Sequence, residues 1–346
     1  MNMAATFTVP GELGFQAQVA MTLGSRFVAA VLEAGERQLY RAPLTAQLIE
    51  TWPEDRSASA LAMRFNAALH TLARGGKIPA LAALYHGEHD DYDGAIGAAI
   101  EMQDAFIAAW MHDTPQTNEV GRAGAIAAAL MVVGSHTGMP FELLELGSSC
   151  GLNLNLARYA YDLGGVLTGD QGSAVRVAPT WHGPPPIFSP IDVVSARGSD
   201  LNPLSANDDA ARERLLSYVW ADQPERAARL TEALDLALLY PPRVDQENGV
   251  TWLAARLAEP QREGVCRVVF HSMVAQYMAR ADRQMGKSAI YRAGALATIE
   301  RPFAWVTFEW TPMRNEVQLW LTCWPGRKAR KLAICHAYGQ WIDWLG

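Results

Sequence analysis

The sequence predicts an α/β protein in two parts, a helical N-terminal region over residues 1–113 and a mostly parallel sheet flanked by helices over residues 114–346. Three observations predict it. Apolar side chains recur at helical spacing through the first third of the chain. After Pro140, short apolar runs alternate with helical stretches, the pattern of strands joined by right-handed crossovers. The chain then closes on two strand-like runs around a Pro-Gly turn. The 346 residues, 50% of them hydrophobic, suit one large α/β domain or a main domain with a smaller companion.

The helical part rests on three patterns. Phe15 to Ala34 carries apolar residues at helical intervals, with Gly35 as a stop. Leu61, Phe65, Leu69 and Leu72 form a stripe, with Arg64 and His70 on other faces. Ile96 to Met111 is Ala-rich and unbroken by proline, so it reads as one helix. Gly75-Gly76 and Tyr85 to Gly94 read as loops.

The strands follow. Phe141 to Leu146 is a short apolar run ending in glycine and serine, after which Leu152 to Tyr161 reads as a helix. Cys266 to Phe270 and Phe303 to Phe308 are further strands. The helical stretches Asp208 to Val219, Gln223 to Leu239 and Thr251 to Ala258 lie among them. Val317 to Trp324 and Lys331 to Tyr338, joined by Pro325 to Lys328, form the closing hairpin. Gly164 to Ser195, rich in Gly and Pro, is an excursion from the sheet.

Charge and cysteines narrow the function classes. A net charge of −7 argues against a nucleic-acid partner, which needs a basic face. The four cysteines, Cys150, Cys266, Cys323 and Cys335, form no CxxC pair, which fits reduced thiols in the cytosol. Met1 to Pro10 lacks the pattern of a targeting segment, and Ala123 to Gly134 is too short for a membrane span and reads as a buried helix. No membrane partner is therefore expected.

The chemistry concentrates in Glu145-Leu146-Gly147-Ser148-Ser149-Cys150-Gly151, a turn between strand and helix. Free N–H groups at a helix start attract a polar or anionic ligand, and glycine lets backbone approach it. Gly147 and Gly151 offer two such places, with Ser149 between them. Glu145 ends a buried strand and can accept hydrogen bonds from an amine or order the loop. A tight strand-to-helix connection without a ligand is the plain alternative. The same residues match G-x-S-x-G, a nucleophile elbow, with Ser149 as nucleophile and His271 or His336 as base. The helical residues before this strand weaken that reading.

In the form E-x-G-x-S-x-G, this strand, turn and following segment resemble the first cofactor-binding motif of class I S-adenosylmethionine-dependent methyltransferases. From about Phe15 to the C-terminus the chain also resembles an uncharacterised bacterial family, domain of unknown function 2332. That likeness is carried by Gln116 to Arg122, Glu145 to Asn153, Gly198 to Leu204, Val219-Trp220, Pro241-Pro242 and Val268 to Ser272.

The methyltransferase resemblance implies a Rossmann-like, seven-stranded sheet with a final antiparallel hairpin. S-adenosylmethionine is the implied cofactor and a small molecule the methyl acceptor. Gly147, Ser148, Gly151 and Leu152 would line its methionine and ribose part, with Glu145 and Asn153 in the same set. Asp200, with Leu201 beside it, would hold the ribose hydroxyls. It lies about 50 residues beyond the glycine turn, where about 20 is usual, and the Gly/Pro-rich excursion accounts for the excess. A cap in Asp-Leu-Asn-Pro is the competing reading. Asn248, in Glu-Asn-Gly, falls where the family has an acid for the adenine amine; an Asn-Gly turn explains it equally. Retained binding without catalysis is the alternative function, and a serine hydrolase the third.

Methyl transfer asks the protein mainly for alignment and exclusion of water, and a base only if the acceptor loses a proton. His271 follows a buried strand and can be that base or hydrogen-bond the acceptor. Asn118, Glu119 and Arg122 can wall the site or grip an acidic group. Asn118 and Arg122 share a face if the segment is helical; otherwise Thr117 caps a helix with Glu119 in its first turn. Glu309 ends the strand from Phe303 and is the weaker candidate, a solvated strand-end carboxylate. His86, His89, Asp90, Asp91 and Asp93 fail the EF-hand spacing and read as a solvated loop, so no metal is expected. Arg327, Lys328, Arg330 and Lys331 read as a solvated hairpin tip.

Overall fold

A computed structural model describes residues 11–326 and 328–346. Met1 to Pro10 and Arg327 therefore lie outside the described residues. By packing, the chain forms two units: one runs up to Thr117 and also takes in Glu213–Ala227, the other holds Asn118–Arg212 and Ala228–Gly346.

The first unit is helical: α1 (Glu12–Thr22), α2 (Arg26–Gln38), α3 (Pro43–Glu50), α4 (Leu61–Arg74), α5 (Pro79–Tyr85), α6 (Tyr92–Met102) and α7 (Asp104–His112). Two single helices expected from the sequence are each broken in two. The first breaks at Gly24, where φ is +89°, and Ser25 caps α2 by accepting from Val28 N at 3.0 Å. Gly35 is no stop; it sits inside α2, where a Cβ would press on Phe65. The second breaks at Gln103, because the Asp104 carboxylate turns to α3 and accepts from Leu44 N and Thr45 N at 2.8 Å each.

Arg64 and His70, off the apolar stripe of α4, are buried as well, since α4 is packed by α1, α2, α5, α6 and α7. Arg64 donates to the carbonyls of Ser59, Met111, His112 and Asp113, so its burial is compensated. Burial pushes the His70 pKa down to about 4, opposed by its contact with Ser217 O.

The second unit begins with α8 (Ala123–Thr137), whose first twelve residues are all buried, as an apolar-all-round helix requires. The strands are β1 (Phe141–Leu146), β2 (Ala160–Leu163), β3 (Val166–Gly169), β4 (Arg176–Val177), β5 (Thr180–His182) and β6 (Val193–Asp200). Helices α9 (Asp209–Ser217) and α10 (Pro224–Leu239) precede β7 (Val244–Gln246). Then come α11 (Gly249–Ala258), β8 (Cys266–Ser272), α12 (Arg280–Ala295), β9 (Phe303–Trp310), β10 (Val317–Trp324), β11 (Lys328–Cys335) and β12 (Trp341–Trp344).

The main sheet has nine strands rather than seven, in the order β5-β12-β11-β10-β9-β8-β1-β6-β7. The block β7-β6-β1-β8-β9 is parallel throughout. The expected terminal hairpin is part of a longer antiparallel run from β9 to β12, and β5 adds in parallel to β12. Residues 152–161 are not an α-helix: a 3₁₀ segment, Leu152–Arg158, leads into β2. The excursion between β1 and β6 builds its own small sheet, β3-β2-β4.

Within the sheet, side chains alternate between faces. Leu144 and Leu146 face α11 and α12, in a core with Trp252, Leu253, Val269, Ile290, Phe303 and Trp324. Glu145 therefore faces the other way. The strand order reverses at β1, since β6 lies on one side of it and β8 on the other, and open α/β sheets bind ligands at such a switch point, outside the carboxyl ends of the strands.

Candidate functional site

The carboxyl end of β1 runs into the glycine turn. Gly147, Ser149 and Gly151 take φ of +67°, +55° and +73°. The two glycines accept this without strain, and a side chain at either would collide: Gly147 lies under Val274, and Gly151 against Pro242 and Val244. On the adjacent strand β6, a Cβ at Gly198 would overlap the Ser148 hydroxyl.

The N–H groups of the turn are taken by the protein itself. Gly147 N and Ser148 N donate to Ser199 O at 2.9 and 3.0 Å, and Ser149 N to Asp200 Oδ2 at 2.8 Å. Cys150 N and Leu152 N both donate to Asn118 Oδ1 at 3.1 Å, and Gly151 N to Ser148 O at 2.7 Å. The expectation of free donors awaiting an anionic ligand is thereby corrected. The reason is geometric: the segment before α8 and the end of β6 both supply acceptors that local sequence does not reveal.

What the turn does leave open is the opposite kind of group. Glu145 is buried, and its Oε2 has no hydrogen-bond partner. Ser149 Oγ, Asn153 Oδ1 and, across β1 on the other face, Ser199 Oγ are buried and unpartnered as well. Native proteins rarely leave such atoms unmet, so a ligand or a water is expected to meet them. Burial holds the Glu145 carboxyl well above the usual range. Ser148 and Arg122 oppose that rise, while the Asp200 charge adds to it. Burial also pushes the Cys150 thiol up to about 11, which leaves it a poor nucleophile.

The other expected site residues sort by what they touch. Asp200 ends β6 beside the turn, because the excursion folds aside and β6 pairs directly with β1; its Oδ1 also accepts from Asn202 N at 2.9 Å. Ser148 and Leu152 are fully buried and brace the turn, Ser148 Oγ donating to Glu145 O at 3.2 Å. Leu201 is largely exposed and offers its carbonyl to Gln246. Asn248 is the N-cap of α11, its Oδ1 accepting from Val250 N and Thr251 N. With that oxygen engaged, only its amide NH₂ remains, which cannot accept from an adenine amine.

Asn118, Glu119 and Arg122 do not share a helical face. Residues Val120–Arg122 form a 3₁₀ turn whose N-cap is Glu119, not Thr117, and Glu119 Oε1 accepts from Gly121 N. All three side chains are buried. Asn118 holds the glycine turn, and Arg122 donates to Ala337 O at 3.0 Å.

His271 lies at the carboxyl end of β8, in register with Leu146 of β1, the residue before Gly147. Its Nδ1 meets Glu309 Oε1 at 2.6 Å. The same carboxylate oxygen accepts from Val274 N at 2.9 Å and Ala275 N at 3.2 Å. Glu309 is therefore not a solvated strand end but the anchor of both His271 and the loop that covers Gly147. Trp305 lies on the same face, its ring 6.0 Å from that of His271 and its Nε1 buried without a partner. Ser199, Val274 and Trp305 were not singled out from the sequence. Ser199 alone carries a signal, as the middle of Gly-Ser-Asp at a strand end.

Other expected groups lie elsewhere. Asp91 caps α6 through Gly94 N, Asp93 pairs with Arg37, and His89 meets Ala80 O, so this loop uses its polar side chains on itself and its neighbours. Among the described residues no set of three or more His, Cys, Asp or Glu is grouped to hold a metal ion. The cysteines are free, and among the described residues no helix is long and apolar enough to cross a membrane. A cavity of about 460 Å³ opens at the opposite, amino edge of the sheet, lined by residues such as Val133, Met139, Cys266, Phe303, Leu321 and Arg330.

A family model described as "Uncharacterized protein conserved in bacteria (DUF2332)" matches residues 12–344. Neither the curated proteins nor the solved structures gave a match.

Proposed function

The chain belongs to the DUF2332 family, and from its carboxyl edge we propose that it binds S-adenosylmethionine and transfers the methyl group to a small molecule. The observation that carries this reading is the balance of donors and acceptors at the turn. No N–H from Gly147 to Leu152 is free, whereas Glu145 Oε2 and Asn153 Oδ1 are buried acceptors without donors. Phosphates need donors and are poorly matched here. A cationic ligand rich in N–H and O–H groups is well matched.

S-adenosylmethionine has that character, with an ammonium, ribose hydroxyls and a cationic sulfur, and when bound it supplies an electrophilic methyl carbon. Glu145 would meet the ammonium, and Asp200 the ribose hydroxyls. Asp200 stands beside the turn for that role, where its carboxylate already holds Ser149 N and Asn202 N. The Val274 loop would keep water from the turn. The protein then contributes alignment and a dry, acceptor-lined edge.

A thermal-shift titration with S-adenosylmethionine and S-adenosylhomocysteine tests the reading. Stabilisation that grows with ligand is expected; no shift at millimolar ligand would overturn it. Binding without turnover on any acceptor would favour a repurposed nucleoside-binding protein. One observation favours a serine hydrolase instead, the left-handed backbone of Ser149 at φ +55°. Its Oγ, however, has no hydrogen-bond partner and so no base. Labelling of Ser149 by a fluorophosphonate would establish that alternative.

A further inference from the structure

We infer that His271 is the general base of this site and Glu309 the residue that positions it, so that the methyl acceptor is a small molecule that must lose a proton, such as an alcohol, a phenol or an ammonium group. This rests on the methyl-transfer reading above.

Glu309 is ionisable and largely enclosed, with its side chain 15% exposed and that of His271 11%. Two backbone N–H groups and the imidazole converge on one carboxylate oxygen, which fixes that oxygen in place. A carboxylate acceptor at Nδ1 selects the tautomer protonated there and leaves the lone pair on Nε2. Nε2 has no hydrogen-bond partner among the described residues.

His271 is the register neighbour of Leu146, so its backbone lies about 5 Å from the strand that enters the turn. The loop anchored by the same Glu309 lays Val274 on Gly147. The base and the cover of the cofactor turn are thus held by one carboxylate. Trp305, its ring 6.0 Å from the imidazole, sets an apolar wall beside it.

The acceptor's X–H proton passes to Nε2, and an electron pair on X, for an ammonium the pair that the departing proton leaves behind, forms the X–CH₃ bond. The methyl–sulfur bond breaks, and its electron pair stays on sulfur, discharging the positive charge there. Glu309 stabilises the imidazolium until the proton leaves to solvent.

Two measurements on the full chain test this without knowing the acceptor. Nitrogen-15 NMR of the wild type should show His271 protonated at Nδ1 with Nε2 bare, and Glu309→Ala should release a tautomer mixture. Diethyl pyrocarbonate should modify His271, identified by peptide mass spectrometry. With S-adenosylhomocysteine at ten times its Kd, occupancy leaves about a tenth of the sites free, so modification should slow about tenfold. A ring protonated at Nε2, or a rate unchanged by a ligand that does bind, overturns the inference alone. Absence of any thermal shift with S-adenosylhomocysteine overturns the methyl-transfer reading and the acceptor assignment with it. If Glu309→Ala does not fold, the wild-type tautomer and the protection experiment still decide.

Discussion

The two edges of one sheet are built to opposite rules. At the amino edge, where β8 and β9 begin and β10 ends, the protein leaves an open volume of about 460 Å³ with mostly apolar walls. At the carboxyl edge of β1, β6 and β8 it leaves buried acceptors without donors, around a turn with no spare N–H. Strand β8 serves both ends, with Cys266 in the wall of the cavity and His271 at the carboxyl edge. The contrast teaches that an open volume alone does not locate chemistry. An apolar void costs little to leave empty of polar partners, whereas an unmet buried carboxylate is costly until something meets it.

Four substitutions sharpen or break this contrast, from the largest expected effect down. Leu321→Ala, in the wall of the amino-edge cavity, should cost about 2–5 kcal/mol in chemical denaturation and leave the affinity for S-adenosylmethionine unchanged. A matching loss of affinity would show that the two edges are not separate. Asn118→Ala, at the other edge, strips the acceptor from two buried N–H groups, so a loss of roughly 2–4 kcal/mol follows, and here ligand affinity should fall as well. Gly198→Ala drives a methyl into Ser148 and should cost about 1–3 kcal/mol, again with weakened binding. Retained affinity in both variants would disconnect the turn from the ligand.

The fourth is read through pH. Burial raises the Glu145 carboxyl well above its ordinary value of 4.5, so the folded state holds its proton more tightly than the unfolded chain does. Its contribution to stability is therefore greatest at or below pH 4.5 and is lost as pH rises toward the raised value. Glu145→Gln, which cannot ionise, should flatten that dependence and be at least as stable as the wild type above neutrality. Denaturation curves from pH 5 to 8 check it, and an unchanged slope would place the pH dependence in another group. The same variant should abolish any proton release seen by calorimetry when the cationic ligand binds.

Much of the framework could be read from local pattern. Phe141 to Leu146, Cys266 to Phe270 and Phe303 to Phe308 are apolar runs too short for helices, and each is a strand. The buried helix of Ala123 to Gly134 was equally plain. Leu152 to Tyr161 was not, because its apolar spacing suits a helix while Tyr159 and Tyr161 turn their hydroxyls back onto the carbonyls of Leu152 and Leu156. The edge strand β5 and its neighbour β12 are three and four residues long and carry little periodicity. At the site, Gly147, Asp200 and His271 were legible as residue types at strand ends. The grip of Glu309 on His271 was not, since it joins residues 38 apart that become neighbours only when β8 and β9 pair.

By itself, then, the sequence determined the main strands and the glycine turn after β1, because glycine, proline and apolar spacing act over a few residues. It determined that Glu145, Gly147 and Gly151 lie at the end of a buried strand. Only the tertiary structure decided which groups there are satisfied. Asn118 and Asp200 arrive from 32 to 51 residues away to occupy the turn's donors, and Glu309 arrives to orient a histidine. Hydrogen bonding is a matter of direction and distance in space, and no local pattern records which acceptor the fold will bring.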